Sequence, residues 1–246
     1  MRIKQNFKLF TRLPFGVALR VVALTALRRL LRLPVTFSYS QGGEDILLGY
    51  FVSLEREGFY VDVGCSDPIR FSNTFSLYTL GWNGINIDAH QEMIAKCKSV
   101  RLLDKSICAA VSDEEREVVF HKAVDSNVST IDERKLEEWR THFEYREEDR
   151  QFVRTRTLTS ILDEVVDENV KIDVLDIDVE GHDLQVIKGL DFERYRPTLI
   201  LMEFYSLEDA SDSEACTLLK QHGYKLENYA FFTAFFIDKK SVVDKK

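Results

Sequence analysis

From Glu44 onward, short apolar runs alternate with stretches in which apolar residues recur every three or four positions. Glu44 to Leu54 carries helical spacing, and Phe59-Tyr-Val-Asp-Val63 reads as a strand that runs into Gly64. Ser72 to Leu80 predicts a helix with Ser72 as its N-cap. Gly84 to Asp88 predicts a second strand, and His90 to Lys98 the helix after it. Ser106 to Val111 and Glu117 to His121 predict two more strands. Arg134 to Arg150 is dense in charge and reads as a solvated helix or a mobile lid. Beyond it come a helix over Leu158–Val166, a strand over Ile172–Val179 and a short helix over His182–Gly189. A strand over Thr198–Phe204 and a helix over Ser213–His222 follow, and Tyr224–Tyr229 with Phe231–Ile237 predict a closing antiparallel pair. Strands alternating with helices specify an α/β fold with a mostly parallel central sheet and helices on both faces.

The head of the chain follows a different pattern. Leu24, Leu27, Leu30 and Leu31 recur at helical spacing beside Arg20, Arg28, Arg29 and Arg32. The run Phe15 to Leu27 is too short to span a bilayer, and it has no clean small-residue cleavage site. It predicts a basic amphipathic helix. Such a helix lies on an anionic membrane surface, serves as an organelle-targeting peptide, or packs on its own domain. The expected division is therefore a basic amphipathic segment over residues 1–37, with contact to a membrane through 1–34, and one catalytic domain over 38–246.

Charge sharpens that division. Residues 1–43 hold eight Lys or Arg and no acid, so all 41 Asp and Glu fall after them, against 33 Lys and Arg in the whole chain. An acidic body argues against nucleic acid as the main partner. The four cysteines, Cys65, Cys97, Cys108 and Cys216, form no C-x-x-C pair and no zinc spacing. They read as free thiols, three of them in or beside apolar runs, in a reducing, cytoplasmic setting.

Three features carry chemistry. Val61-Asp62-Val63-Gly64-Cys65-Ser66 is a strand ending in a glycine turn, which lets a ligand approach the backbone at the carboxyl edge of a sheet. It lacks the G-x-G-x-x-G of a dinucleotide site, which weighs against a nicotinamide-dependent oxidoreductase. Asp88 ends the next strand, where an acid can accept hydrogen bonds from both hydroxyls of a ribose. In Asp176-Ile-Asp178-Val-Glu180-Gly181-His182, strand alternation puts three carboxylates on one side, and Glu203 ends the following strand. Crowded carboxylates repel, so they are expected to bind a metal, pair with a cation or share a proton.

Taken in order, these pieces resemble the FkbM family of methyltransferases. Ser40-Gln-Gly-Gly-Glu-Asp45, Val61-Asp-Val-Gly64 with Asp67-Pro68, Ser72-Asn-Thr74, Gly81-Trp82 and Ile87-Asp88 match its motifs. Ala109-Ala-Val-Ser112, Ser129-Thr130 and Asp176 to His182 complete the match, which covers residues 38–238. Cys65-Ser66 stands where Ala-Asn or Ala-His is more usual, and Asp88 where Glu is frequent.

The resemblance implies a Rossmann-like, S-adenosylmethionine-dependent enzyme that methylates oxygen on a sugar or other small hydroxylated acceptor. It implies that Asp62, Gly64 and Ser66 line the methionine end of the cofactor, that Asp88 holds the ribose, and that Cys108 and Ala109 flank the adenine. Gln41, Glu44 and Asn73 are further candidates near the same pocket. Methyl transfer from a sulfonium is an in-line displacement whose main demand is alignment. The acceptor hydroxyl also loses a proton. His182 is the favoured base because imidazole titrates near neutrality, and Asp178 and Glu180 are the other catalytic candidates. Alternatively Asp178, Glu180 and Glu203 hold a divalent ion that acidifies the hydroxyl. The aromatic end, Tyr229, Phe231, Phe232, Phe235 and Phe236, either stacks on a sugar ring or belongs to the core. A catalytically inactive, membrane-associated binding module is the rival reading.

Overall fold

The computed structural model describes residues 3–123, 129–167 and 170–241. Two helices, α1 (Ile3–Arg12) and α2 (Phe15–Leu30), open the chain, followed by α3 (Glu44–Phe51) and β1 (Phe59–Val63). Next come α4 (Phe75–Thr79), β2 (Asn83–Asp88), α5 (Gln91–Val100), β3 (Lys105–Cys108), β4 (Ala110–Ser112) and β5 (Glu117–Ala123). The second half runs α6 (Glu133–Trp139), β6 (Tyr145–Thr157), α7 (Leu158–Val165), β7 (Val174–Ile177), α8 (Asp183–Lys188) and β8 (Leu199–Glu203). It closes with α9 (Leu207–Asp212), α10 (Glu214–Gln221), β9 (Tyr224–Ala230) and β10 (Thr233–Asp238).

Seven strands form the central sheet in the order β3-β2-β1-β7-β8-β10-β9. The first five are parallel, whereas β10 runs antiparallel to both β8 and β9. This is the expected α/β architecture with its antiparallel closing pair. Alternation along the strands feeds two cores. Val61, Val63 and Ile87 pack with Leu162 of α7, Val186 of α8 and Leu219 of α10. Tyr60, Val174 and Leu201 pack on the other face with Leu48 of α3 and Leu77 of α4. Leu9, Leu13 and Ala18 join that second core, so the basic head is docked on the domain. Tyr78 Oη donates to the Arg12 carbonyl, and the Arg12 guanidinium donates to the Trp82 carbonyl.

Three local readings change. The strand expected over Ser106–Val111 breaks after Cys108: β3 stays in the central sheet, and β4 joins a second sheet of order β4-β6-β5. The break falls where the Ala109 N–H donates to the Asp88 carbonyl, 2.9 Å away, at the edge where ligands bind. The charged stretch Arg134–Arg150 is not one solvated helix. It holds most of α6 and the first half of β6, and β6 pairs along its length with β5. Helix α4 starts at Phe75 with Thr74, not Ser72, at its N-cap position; Ser72 Oγ accepts from the Phe75 N–H at 3.1 Å from the turn before the helix. All four cysteines are free, with Cys65, Cys97 and Cys216 buried and Cys108 exposed.

Candidate active site

Parallel strands bring their carboxyl ends to one edge, and there Gly64, Asp88, Asp178 and Glu203 converge after β1, β2, β7 and β8. Gly64 has φ +85°, and a Cβ on it would sit 1.7 Å from the Asp178 carbonyl oxygen. Only glycine fits between these two backbones. Ser66 follows in a left-handed conformation, φ 40°. Its N–H donates to Asp88 Oδ2 at 2.9 Å, while Asp88 Oδ1 accepts from the His90 N–H at 2.6 Å. Burial raises the Asp88 carboxyl to about 6 against the pull of those two N–H groups.

Two openings meet at this turn. A narrow cleft runs from Gly64 and Ser66 past Asp88 to Ala109, walled by Phe120 and Val111. A wider cavity of about 390 Å³ adjoins it and shares Gly64, Ser66, Asp178 and Glu180. Its walls are aromatic, from Phe71, Trp139, Phe143, Tyr205 and Phe232. Its polar lining includes Gln41, Asn73, Asp62, Asp176 and Glu203.

The acidic groups differ in what holds them. Asp62 accepts from Thr74 Oγ1 and lies 3.5 Å from the guanidinium of Arg101, which is 0% exposed. Arg101 also donates to Asn86 Oδ1 and Ser72 Oγ, both at 2.6 Å, and to Thr74 Oγ1 at 2.8 Å. Asp176 accepts from Asn73 Nδ2 at 3.2 Å. One oxygen from each of Asp178, Glu180 and Glu203 lies within 4.8 Å of the others, a spacing that suits a shared cation.

Asp178 is open to the cavity yet ringed by protein, and this burial, followed by the charges of Glu203 and Asp62, holds its carboxyl well above the usual range. Burial and then Asp178 push Glu180 up to about 11, and its Oε2 is buried without a partner among the described residues. Glu180 and Gly181 both take positive φ, 57° and 95°. Burial and then Asp183 raise Glu203 to about 7. The cation facing this group is Lys135 of α6, whose ammonium lies over the rings of Trp139 and Tyr205 and donates to Tyr205 Oη.

His182, 6% exposed, lines the narrow cleft and not the wider cavity, and its Nε2 lies 2.9 Å from Ser112 Oγ. Burial lowers its pKa. Two expected cofactor residues fall outside both openings. Glu44 Oε2 accepts from the Gly42 N–H at 2.8 Å within its own turn. Cys108 is exposed, with its Sγ 3.6 Å from the Ala89 carbonyl oxygen. Of the aromatic end, Phe235 and Phe236 are core, and Phe232 stands at the wider cavity. Arg101, Lys135, Trp139 and Tyr205 were not anticipated. Arg101 stands close to Lys96, Lys98 and Lys105 in the sequence, so nothing there marks it as the buried one.

The Methyltransferase FkbM domain matches residues 62–226, well over half of the chain. The chain belongs to the FkbM methyltransferase family. Two solved structures are similar at low identity. One is a TehB-like SAM-dependent methyltransferase from Corynebacterium glutamicum, with 13% identity, TM-score 0.39, and 88% of this chain and 96% of that chain covered. The other is a precorrin-6y C5,15-methyltransferase from Geobacter metallireducens, with 12% identity, TM-score 0.42, and 79% and 86% covered. Likeness at that level carries no argument about this FkbM protein, whose fold rests on its own strand order. No curated protein matches its sequence significantly.

As an FkbM methyltransferase it uses S-adenosylmethionine, and the edge residues fit that group. Gly64 and Ser66, in the turn after β1, line both the narrow cleft and the wider cavity. Of the residues that would hold the cofactor, Asp88, Ala109 and Phe120 line the narrow cleft, where they would take the ribose and the base, and Asp62 and Asp176 line the adjoining cavity, where they would face the cationic methionine end.

Proposed function

We propose that this methyltransferase acts on a hydroxyl of a sugar or other small acceptor held in the wider cavity, with Asp178 as the base. The supporting observation is the pairing of aromatic walls with carboxylates in a cavity that opens on the Gly64–Ser66 turn. Aromatic faces stack on the apolar faces of sugar rings, and carboxylates accept from their hydroxyls. Asp178 lines both openings, whereas His182 is engaged with Ser112 off the acceptor side. The geometry thus favours Asp178 over His182.

In the transfer, the acceptor oxygen bonds to the methyl carbon as the carbon–sulfur bond breaks, a neutral thioether leaves, and the hydroxyl proton passes to Asp178. The raised pKa of Asp178 makes it a stronger proton acceptor once ionised, and a bound sulfonium nearby favours the ionised form. Burial and the charge of Asp178 favour the neutral form of Glu180, which in that form is suited to donate a hydrogen bond to the acceptor. The close approach of Asp178, Glu180 and Glu203 favours one second reading, in which a divalent ion there acidifies the hydroxyl.

Mass spectrometry of products from a glycan panel with labelled donor tests both. Methylated product that survives EDTA, falls ~10²-fold or more in Asp178→Asn and persists in His182→Ala supports the base. Loss in EDTA with recovery on adding magnesium supports the ion. Methylation confined to nitrogen or carbon acceptors contradicts the hydroxyl assignment.

A further inference from the structure

The outward face of α2 is unusual for a domain surface. Its inward face, Val17, Ala18, Val21 and Val22, packs against the second core. The opposite face is apolar as well: Phe15 is 71% exposed and Leu30 80%, with Leu19, Leu24, Leu27 and Leu31 each about half exposed. A helix apolar on both sides has a second environment to satisfy, and apolar patches of this kind mark contact sites.

Charge identifies the occupant. Arg20 is exposed among these leucines, Arg29 is exposed at the flank of the last turn and Arg32 just past the helix end, and no ion pair to a carboxylate among the described residues involves them. Residues 1–43 hold no acid, whereas every one of the 41 Asp and Glu lies beyond them. A second copy docking through this face would set arginine against arginine. An anionic lipid surface takes both the leucines and the arginines, and repels the acidic body so that only the head approaches. The helix has 16 residues, and no helix among the described residues is long and apolar enough to cross a membrane.

We propose that α2 binds anionic phospholipid, lying in the plane of the interface with its outward leucines in the acyl boundary and its arginines on the headgroups. The methyltransferase then works at a membrane surface.

Flotation of the full chain with vesicles tests this. Binding is expected to vesicles of phosphatidylcholine with phosphatidylglycerol, not to phosphatidylcholine alone, with release at high salt. Arg20→Gln, Arg29→Gln and Arg32→Gln together should weaken binding roughly a hundredfold. Leu27→Ser with Leu30→Ser should weaken it about tenfold. Both sets lie on the solvent side, and unchanged thermal melting in each shows that the fold is kept. Equal binding to neutral vesicles, or none to either kind, overturns the proposal. So does a dimer in sedimentation that Leu30→Ser dissolves.

Discussion

At the scale of single residues, Gly64 and Asp88 stand at the proposed cofactor edge, and each yields a sharp expectation. A methyl group at Gly64 meets backbone, not a side chain that can swing away, and φ +85° strains any other residue. Gly64→Ala should therefore lose at least about 2 kcal/mol of stability in urea unfolding and bind cofactor poorly. Wild-type stability in that variant would mean that the ends of β1 and β7 are further apart than described. As the proposed ribose ligand, Asp88 would accept from both hydroxyls best when ionised, and burial raises its pKa to about 6. Cofactor affinity should hold above that value and fall up to tenfold per unit below it. Calorimetric titrations across the acid range would show this, and Asp88→Asn should flatten the dependence.

At the scale of elements, Arg101, just past the end of α5, ties together Asp62 on β1, Asn86 on β2 and the Ser72–Thr74 turn before α4. Removing one partner leaves the other charge buried and alone, so Arg101→Met should cost ~3–5 kcal/mol by denaturant unfolding. A loss within experimental scatter would contradict the burial of that pair. Which elements were legible in the sequence follows from the same physics. Strands β1, β2, β7 and β8 are largely buried on both faces; β8 reads as an apolar run, Asp62, Asn86 and Asp176 interrupt the others, and Asp88, Asp178, Glu180 and Glu203 stand out at or just past their ends. Strand β6 was illegible because its residues are mostly charged, and pairing with β5, not side-chain burial, makes it a strand. Lys135 sits in a run of charges, where sequence does not distinguish the one that packs inward from those in water. For His182 the sequence offered a candidate base, but which opening it lines goes with its contact to Ser112 from a distant strand.

At the scale of the whole molecule, the acidic edge makes stability depend on pH. Asp183 and Glu203 are raised to about 7 and Glu180 to about 11, above their unfolded values, so the folded chain holds more protons. That stabilisation is present at low pH and is lost as pH rises through these values. His90 and His182 are lowered and act oppositely, but only below about 6.5 where unfolded histidine titrates. Asp183 and Glu203 have lost their share by about pH 7, so above it the melting temperature of the cofactor-free protein should go on falling through Glu180. A flat or rising profile between about pH 7 and pH 9 in differential scanning calorimetry would contradict the burial of Glu180.

The same edge holds the central claim, that Gly64, Ser66 and Asp88 form an S-adenosylmethionine site beside an acceptor cavity. Calorimetric titration of the full chain with S-adenosylmethionine, beside the Asp88→Ala variant, tests it directly. Saturable one-to-one binding that weakens at least roughly tenfold in the variant is the expected result, since both ribose hydrogen bonds are removed. No heat of binding at millimolar cofactor, or equal affinity in the two proteins, would contradict it.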